Sequence, residues 1–117
     1  MTNEIRFIDL FCGIGSFHQA FRSLGGFNCV FACDIDKCAR QTYFLNFGIE
    51  PGGDICKIEA KTVPDHDVLC AGFPCVSFSA IGKKEGFGSN SVKLFFEILR
   101  VIDAKCPKII VLENVMG

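Results

Sequence analysis

Short apolar runs alternate with helix-length segments along the whole chain, and this alternation limits the possible folds more than any other feature. Strands that alternate with helices build a parallel sheet covered on both faces. Ile5 to Phe11 reads as a strand that ends at Cys12-Gly13-Ile14-Gly15. Ser16 is placed to cap a helix over Phe17 to Leu24, with Phe17, Ala20, Phe21 and Leu24 on one face and Gly25-Gly26 at its end. Cys29 to Cys33 is a second strand, and Asp36 opens a helix to Asn46 that Gly48 closes. Gly53-Asp54-Ile55 reads as a short third strand, and Val68 to Ala71 as a buried fourth. A loop from Pro74 to Asn90 precedes a helix from Ser91 to Ala104, with Phe95, Phe96, Leu99 and Ile102 spaced as its core face. The last strand, Lys108 to Leu112, ends at Glu113-Asn114.

Right-handed crossovers give a five-stranded α/β sheet of order 3-2-1-4-5, with the ligand crevice at the carboxyl ends where the order reverses. Gly13, Asp34, Asp54, Cys75 and Glu113 all fall at such ends. At 117 residues the chain is one domain at most. It stops just after its fifth strand and so reads as the first part of a larger doubly wound domain.

Net charge is −1 and the longest basic run is Lys83-Lys84. Affinity for phosphates comes mainly from clustered Lys and Arg, so strong unaided nucleic-acid binding is not indicated. No secretory signal or membrane-length apolar run is present, and the chain reads as soluble and cytoplasmic. Eight cysteines without a secretory signal argue for free thiols rather than a disulfide framework. They contain no Cys-x-x-Cys pair and the chain has two histidines, so no metal site is expected.

The turn Phe11-Cys12-Gly13-Ile14-Gly15 follows a strand and opens a helix, so its backbone can approach a ligand closely. His18 stands where a dinucleotide fingerprint needs its third glycine, which disfavours a pyrophosphate. Asp34 follows about 20 residues later, where this architecture holds a ribose diol. Asp54 is placed to accept from an adenine amino group. Glycines with two acids suggest an adenosine ligand without pyrophosphate, and S-adenosylmethionine fits. Plain turn and cap roles for these residues remain open, with Asp36 the better cap.

Gly72-Phe73-Pro74-Cys75 sets a thiol after a proline at the end of a buried strand, before a loop rich in Gly and Ser. That is where a nucleophile is useful. Neither His18 nor His66 is placed to act as its base, which argues against Cys-His chemistry. Glu113 ends the neighbouring strand. Burial would raise its pKa and keep it protonated as a donor. A thiol adding to a ring carbon while an acid holds the ring nitrogen describes conjugate addition to a pyrimidine.

Asp9-Leu10-Phe11-Cys12-Gly13-Ile14-Gly15, Gly72-Phe73-Pro74-Cys75, Leu94-Phe95-Phe96-Glu97 and Glu113-Asn114-Val115 together resemble the amino-terminal catalytic part of bacterial-type DNA (cytosine-5)-methyltransferases. The resemblance covers residues 1–117, in order and at family spacing, and implies a Rossmann-like methyltransferase fold that uses S-adenosylmethionine and no metal. It implies that Cys75 attacks C6 of a cytosine flipped out of double-stranded DNA, while Glu113 binds and protonates N3. Phe11 and the Gly13-Ile14-Gly15 turn would lie beside the cofactor. Asp34 would hold its ribose, and Ile35 would pack on the adenine. Asp54 and Ile55 would read the adenine edge, while Pro74 and Leu94 would shape the pocket. Val76 to Asn90 would be the loop that closes over DNA.

The chain departs from the family pattern in several places. Val76 stands where Gln is usual, Asp34 where Glu is commoner, and Ile35 where an aromatic often sits. Ser89-Asn90-Ser91 replaces a stretch that usually includes an Arg. The later Arg-containing motif, the target-recognition domain and the carboxy-terminal cofactor segment are not in the sequence. The expectation is therefore a piece that is inactive alone and works with a complementary carboxy-terminal polypeptide. The alternatives are a cofactor-binding module without catalysis and a fragment acting on RNA, the latter disfavoured by Gly-Phe-Pro-Cys in place of Pro-Pro-Cys.

Overall fold

The computed structural model describes residues 4–74 and 90–115, with backbone only for Phe73, Pro74, Asn90, Ser91, Asn114 and Val115. Four parallel strands form one sheet: β1 (Ile5–Leu10), β2 (Phe27–Cys33), β3 (Val68–Pro74) and β4 (Ile109–Val115). Helices α1 (Ser16–Leu24), α2 (Lys37–Phe47) and α3 (Asn90–Lys105) connect them, with 3-10 turns at Ile55–Lys57 and Ala60–Thr62. The order is β2-β1-β3-β4, so the topological reversal lies between β1 and β3.

The expected third strand is not a strand. Only an isolated parallel bridge, Cys33 to Gly52, remains at its place beside β2. Gly52-Gly53 offers no side chain to pack, and Asp54 caps a 3-10 turn through Cys56 N instead of extending. The sheet therefore has four strands rather than five, with the expected order otherwise kept.

Alternation along β1 and β3 sorts the core into two layers. Ile8, Leu10, Leu69 and Ala71 face one side, where Ile98 and Val101 of α3 and the turn residues Ile55, Ala60 and Val63 cover them. Phe7, Val68 and Cys70 face the other, against Tyr43 of α2 and the partly buried Phe17 and Phe21 of α1. Phe95, Phe96 and Leu99, expected in the core, are exposed. The stripe that α3 buries runs through Val92, Ile98 and Val101, with Leu94 and Ile102 at its margin. Ile109, Ile110 and Leu112 of the edge strand β4 are exposed as well.

Ser16 is the first residue of α1 rather than its cap; Gly15 holds the cap position in the left-handed region, with no side-chain bond. Asp36 caps α2 by accepting from Cys38 N and Ala39 N, and left-handed Gly48 closes it. Gly15 is demanded twice over. Its φ is +99°, and a Cβ there would meet Phe47 Cε2 at 2.2 Å. Gly13, at φ +55°, has open space where its Cβ would be. Gly15→Ala is expected to cost about 2–4 kcal/mol, from strain plus overlap. Gly13→Ala is expected to cost about 1–2 kcal/mol from strain alone. Urea unfolding of the two variants measures the difference.

Candidate functional site

The carboxyl ends of β1 and β2 meet at one carboxylate. Asp34 Oδ2 accepts from Gly13 N at 2.8 Å, and Oδ1 accepts from Asp36 N at 2.8 Å. A carboxylate has about four lone-pair directions, so two remain for another donor. Arg40 holds the same loop from outside, donating to Asp34 O at 2.8 Å and Ile35 O at 2.9 Å. Within the glycine turn, Cys12 N bonds Cys33 O and Gly15 N bonds Cys12 O. Phe11 stands at φ +54°, an uncommon conformation for a bulky residue. Such strain is characteristic of ligand sites.

Ile35 is 72 % exposed and Ile14 63 % exposed, apolar surfaces at these same strand ends. Together with the open space over Gly13, they leave an accessible apolar surface beside the free lone pairs of Asp34. Asp54 joins this edge because Asp34 N bonds Gly52 O, and Gly52 N bonds Ala32 O. One Asp54 oxygen accepts from Cys56 N at 2.9 Å. Ile55 is 3 % exposed and its side chain belongs to the core, while its carbonyl accepts from Ile58 N and Arg100 Nη2, so only its backbone N–H is left for a ligand. Leu94 is half-buried against the same core layer.

β3 ends at Pro74, the residue before Cys75. Gly72 pairs with Glu113, and Pro74 with Val115. A Cβ on Gly72 would lie 3.8 Å from Phe17 and 3.9 Å from Glu113 Oε2. The bare glycine thus leaves room beside the carboxyl. Glu113 is exposed, so the burial expected to keep it protonated is not provided by the described residues. Cys75, the residue after Pro74, and the expected closing loop through 89 lie outside the described residues, as does the side chain of Pro74.

Sequence reasoning missed a buried polar chain beneath the glycine turn. Asp9 is 1 % exposed and accepts from Tyr43 Oη at 3.3 Å. His18 Nδ1 lies 2.8 Å from the same hydroxyl. With Asp9 ionised, the single hydroxyl hydrogen goes to Asp9, so His18 Nδ1–H is the donor to Tyr43. His18 stacks on Phe47, the ring that fixes Gly15. The signal was available: an acid inside the apolar run Ile5 to Phe11 needs a partner. Burial pushes Asp9 up to about 7, with the Tyr43 bond opposing and the Asp34 charge adding to it. Burial likewise pushes the thiols of Cys33 and Cys70 up to about 12, and Cys12 further. They are core thiols rather than nucleophiles.

A parallel α/β sheet whose order reverses beside a glycine turn, braced by an acid at the end of the next strand, defines a doubly wound, Rossmann-like class of domain. The sequence profile of the C-5 cytosine-specific DNA methylases matches residues 5–117. The chain belongs to that family. It is 51 % identical over 117 residues to the type II methyltransferase M.MspI of Moraxella, covering 99 % of this chain and 28 % of that protein. Identity to M.HhaI of Haemophilus parahaemolyticus is 50 % over 111 residues, covering 95 % and 34 %. The structure resembles the Dnmt2 methyltransferase of S. pombe with a TM-score of 0.77 and 29 % identity, covering 97 % and 37 %. The chain thus spans about a third of the length of the relatives it matches. Among the described residues, no helix is long and apolar enough to cross a membrane.

The Asp9 carboxyl titrates near 3.8 when unfolded and near 7 when folded. Between those values the native state binds more protons than the unfolded state, so stability falls as pH rises. The loss from this group is complete above about pH 7 and amounts to a few kcal/mol, on the order set by the shift. Asp9→Asn keeps an acceptor for Tyr43 and is expected to remove this component. Urea midpoints of both proteins from pH 4.5 to 8 measure it as a difference.

Proposed function

We propose that this chain is the cofactor-binding and nucleophile-bearing part of a DNA cytosine-5 methyltransferase that methylates C5 of cytosine in the cytoplasm of a bacterial cell. The observation that carries the reading is the Asp34–Gly13 brace beside exposed Ile35, on the same sheet edge as the strand leading into Pro74-Cys75. Phe11, the Gly13-Ile14-Gly15 turn, Asp34, Ile35 and Asp54 would hold S-adenosylmethionine, with the Ile55 backbone, Pro74 and Leu94 completing the pocket. When bound, that cofactor supplies an electrophilic methyl group.

The protein's own chemistry prepares cytosine to accept it. The Cys75 thiolate forms a bond to C6 while Glu113 gives a proton to N3, and the ring electrons thereby gather at C5. After C5 is methylated, it loses its proton to a base. The sulfur–C6 bond then breaks while N3 returns its proton to Glu113, which restores the thiolate and the acid and releases neutral 5-methylcytosine. Glu113 needs a drier surrounding than it has here to remain a proton donor. We assign that enclosure to the flipped base and to a complementary carboxy-terminal polypeptide bearing a target-recognition domain. The exposed apolar side chains of Phe95, Phe96, Leu99, Ile109 and Leu112 offer that polypeptide a surface.

The test is methyl transfer from labelled S-adenosylmethionine to double-stranded DNA, by the chain alone and mixed with the carboxy-terminal part of a relative. The expected result is turnover only in the mixture, none with Cys75→Ser, and about 10²–10⁴-fold less with Glu113→Gln. Turnover by the chain alone would remove the need for the second polypeptide. Cofactor binding by a mixture that never traps 5-fluorocytosine DNA would leave a binding module without catalysis.

A further inference from the structure

The segment that carries Asp54 has little regular structure to hold it. One bridge precedes it at Gly52, and two single-turn 3-10 helices follow. Its backbone is nonetheless clamped from a distant element. Arg100 of α3 donates from Nη2 to Ile55 O at 2.9 Å and from Nη1 to Ile58 O at 2.8 Å. The Nε and Nη2 edge of the same guanidinium is bound to Glu97 Oε2, with Nε at 2.7 Å. Glu97 thereby fixes the plane of the fork, and the fork spans the turn. Inside the turn, Lys57 N bonds Asp54 O and Ile58 N bonds Ile55 O. Ile55 is anchored in the core beneath.

These contacts divide the labour at Asp54. Burial of Ile55 fixes the depth of the turn. Asp54 Oδ1 is tied to Cys56 N. The Arg100 fork fixes the rotation of the turn about that anchor, because it grips two carbonyls three residues apart. A planar guanidinium can do this and a lysine ammonium cannot, since it lacks a rigid pair of divergent donors.

We infer that Arg100 is a positioning residue for base selection: through the Ile55–Ile58 turn it aims the Asp54 carboxylate at a purine 6-amino group and so excludes a 6-oxo purine. The inference rests on the reading that Asp54 faces the adenine of the cofactor. A carboxylate accepts hydrogen bonds only, so a 6-amino group satisfies it and a 6-oxo group opposes it. That opposition discriminates only if the carboxylate cannot swing aside. A loosely held acid tolerates either base; a clamped one does not.

The experiment is calorimetric titration of the 117-residue chain with S-adenosylhomocysteine and with S-inosylhomocysteine, which differ in the 6-substituent and in the N1–H that the 6-oxo ring carries and that only a carboxylate free to swing aside could reach. The chain is expected to prefer the adenosyl compound by about tenfold or more, the worth of one charge-assisted hydrogen bond. Arg100→Lys is expected to bring the ratio close to one by losing adenosyl affinity alone. Glu97→Gln keeps an acceptor for the fork and is expected to lower the ratio by a smaller factor, about threefold. It also serves if Arg100→Lys does not fold. An undiminished ratio in the variants overturns the role of Arg100 and leaves the cofactor reading standing. Equal weakening of both ligands overturns it too, because it marks a merely structural contact. Failure of the unaltered chain to bind either compound, both alone and mixed with the carboxy-terminal part of a relative, overturns the cofactor reading itself, and the inference with it.

Discussion

The bond from Gly13 N to Asp34 Oδ2 is the constraint on which the site is built. A turn with Phe11, Gly13 and Gly15 all at positive φ has few backbone partners of its own. One carboxylate satisfies its exposed donor and simultaneously receives Asp36 N from the loop beyond β2. Together with the Cys12 N–Cys33 O bond, it holds the two strand ends as one surface beyond Leu10 and Cys33. The floor beneath is aromatic and equally committed, with Phe47 and Tyr43 occupying the volume a Gly15 side chain would need. Above it the space over Gly13 is open, and the asymmetry gives the turn an inner and an outer side.

Much of this was legible from residue types. The apolar runs gave the strands because their period and length admit little else, and their helical connections dictate parallel pairing. Asp36 and Gly48 marked the ends of α2 through chemistry that works locally. The errors came where tertiary context overrides local signals. Gly53-Asp54-Ile55 has strand-like length, yet Asp54 is better satisfied as a cap than as a ladder residue. The Phe95, Phe96 and Leu99 spacing is helical and apolar, but periodicity identifies an apolar stripe without saying which element covers it. Glu113 was placed correctly on its strand, whereas its exposure depends on neighbours that no pattern within the strand encodes. Arg100 gave no signal at all, since its partners are backbone carbonyls more than 40 residues away.

The two layers of the core divide the work. The α1 and α2 side carries the buried Asp9–Tyr43–His18 chain and supports the glycine turn. The α3 side carries the clamp on the Asp54 turn, and it turns Phe95, Phe96 and Leu99 outward. A single helix therefore has one face bound to the proposed adenine-reading turn and another whose apolar side chains are exposed. Proteins expose apolar patches of this kind chiefly where something else docks.

The buried thiols have a chemical consequence for a chain of a methylase family. Thiolates are soft nucleophiles and the natural victims of stray alkylation. Burial pushes Cys33 and Cys70 up to about 12 and Cys12 further, which keeps these sulfurs protonated inside the sheet at neutral pH. The fold can therefore be rich in sulfur and still keep these interior thiols inert toward alkylating groups.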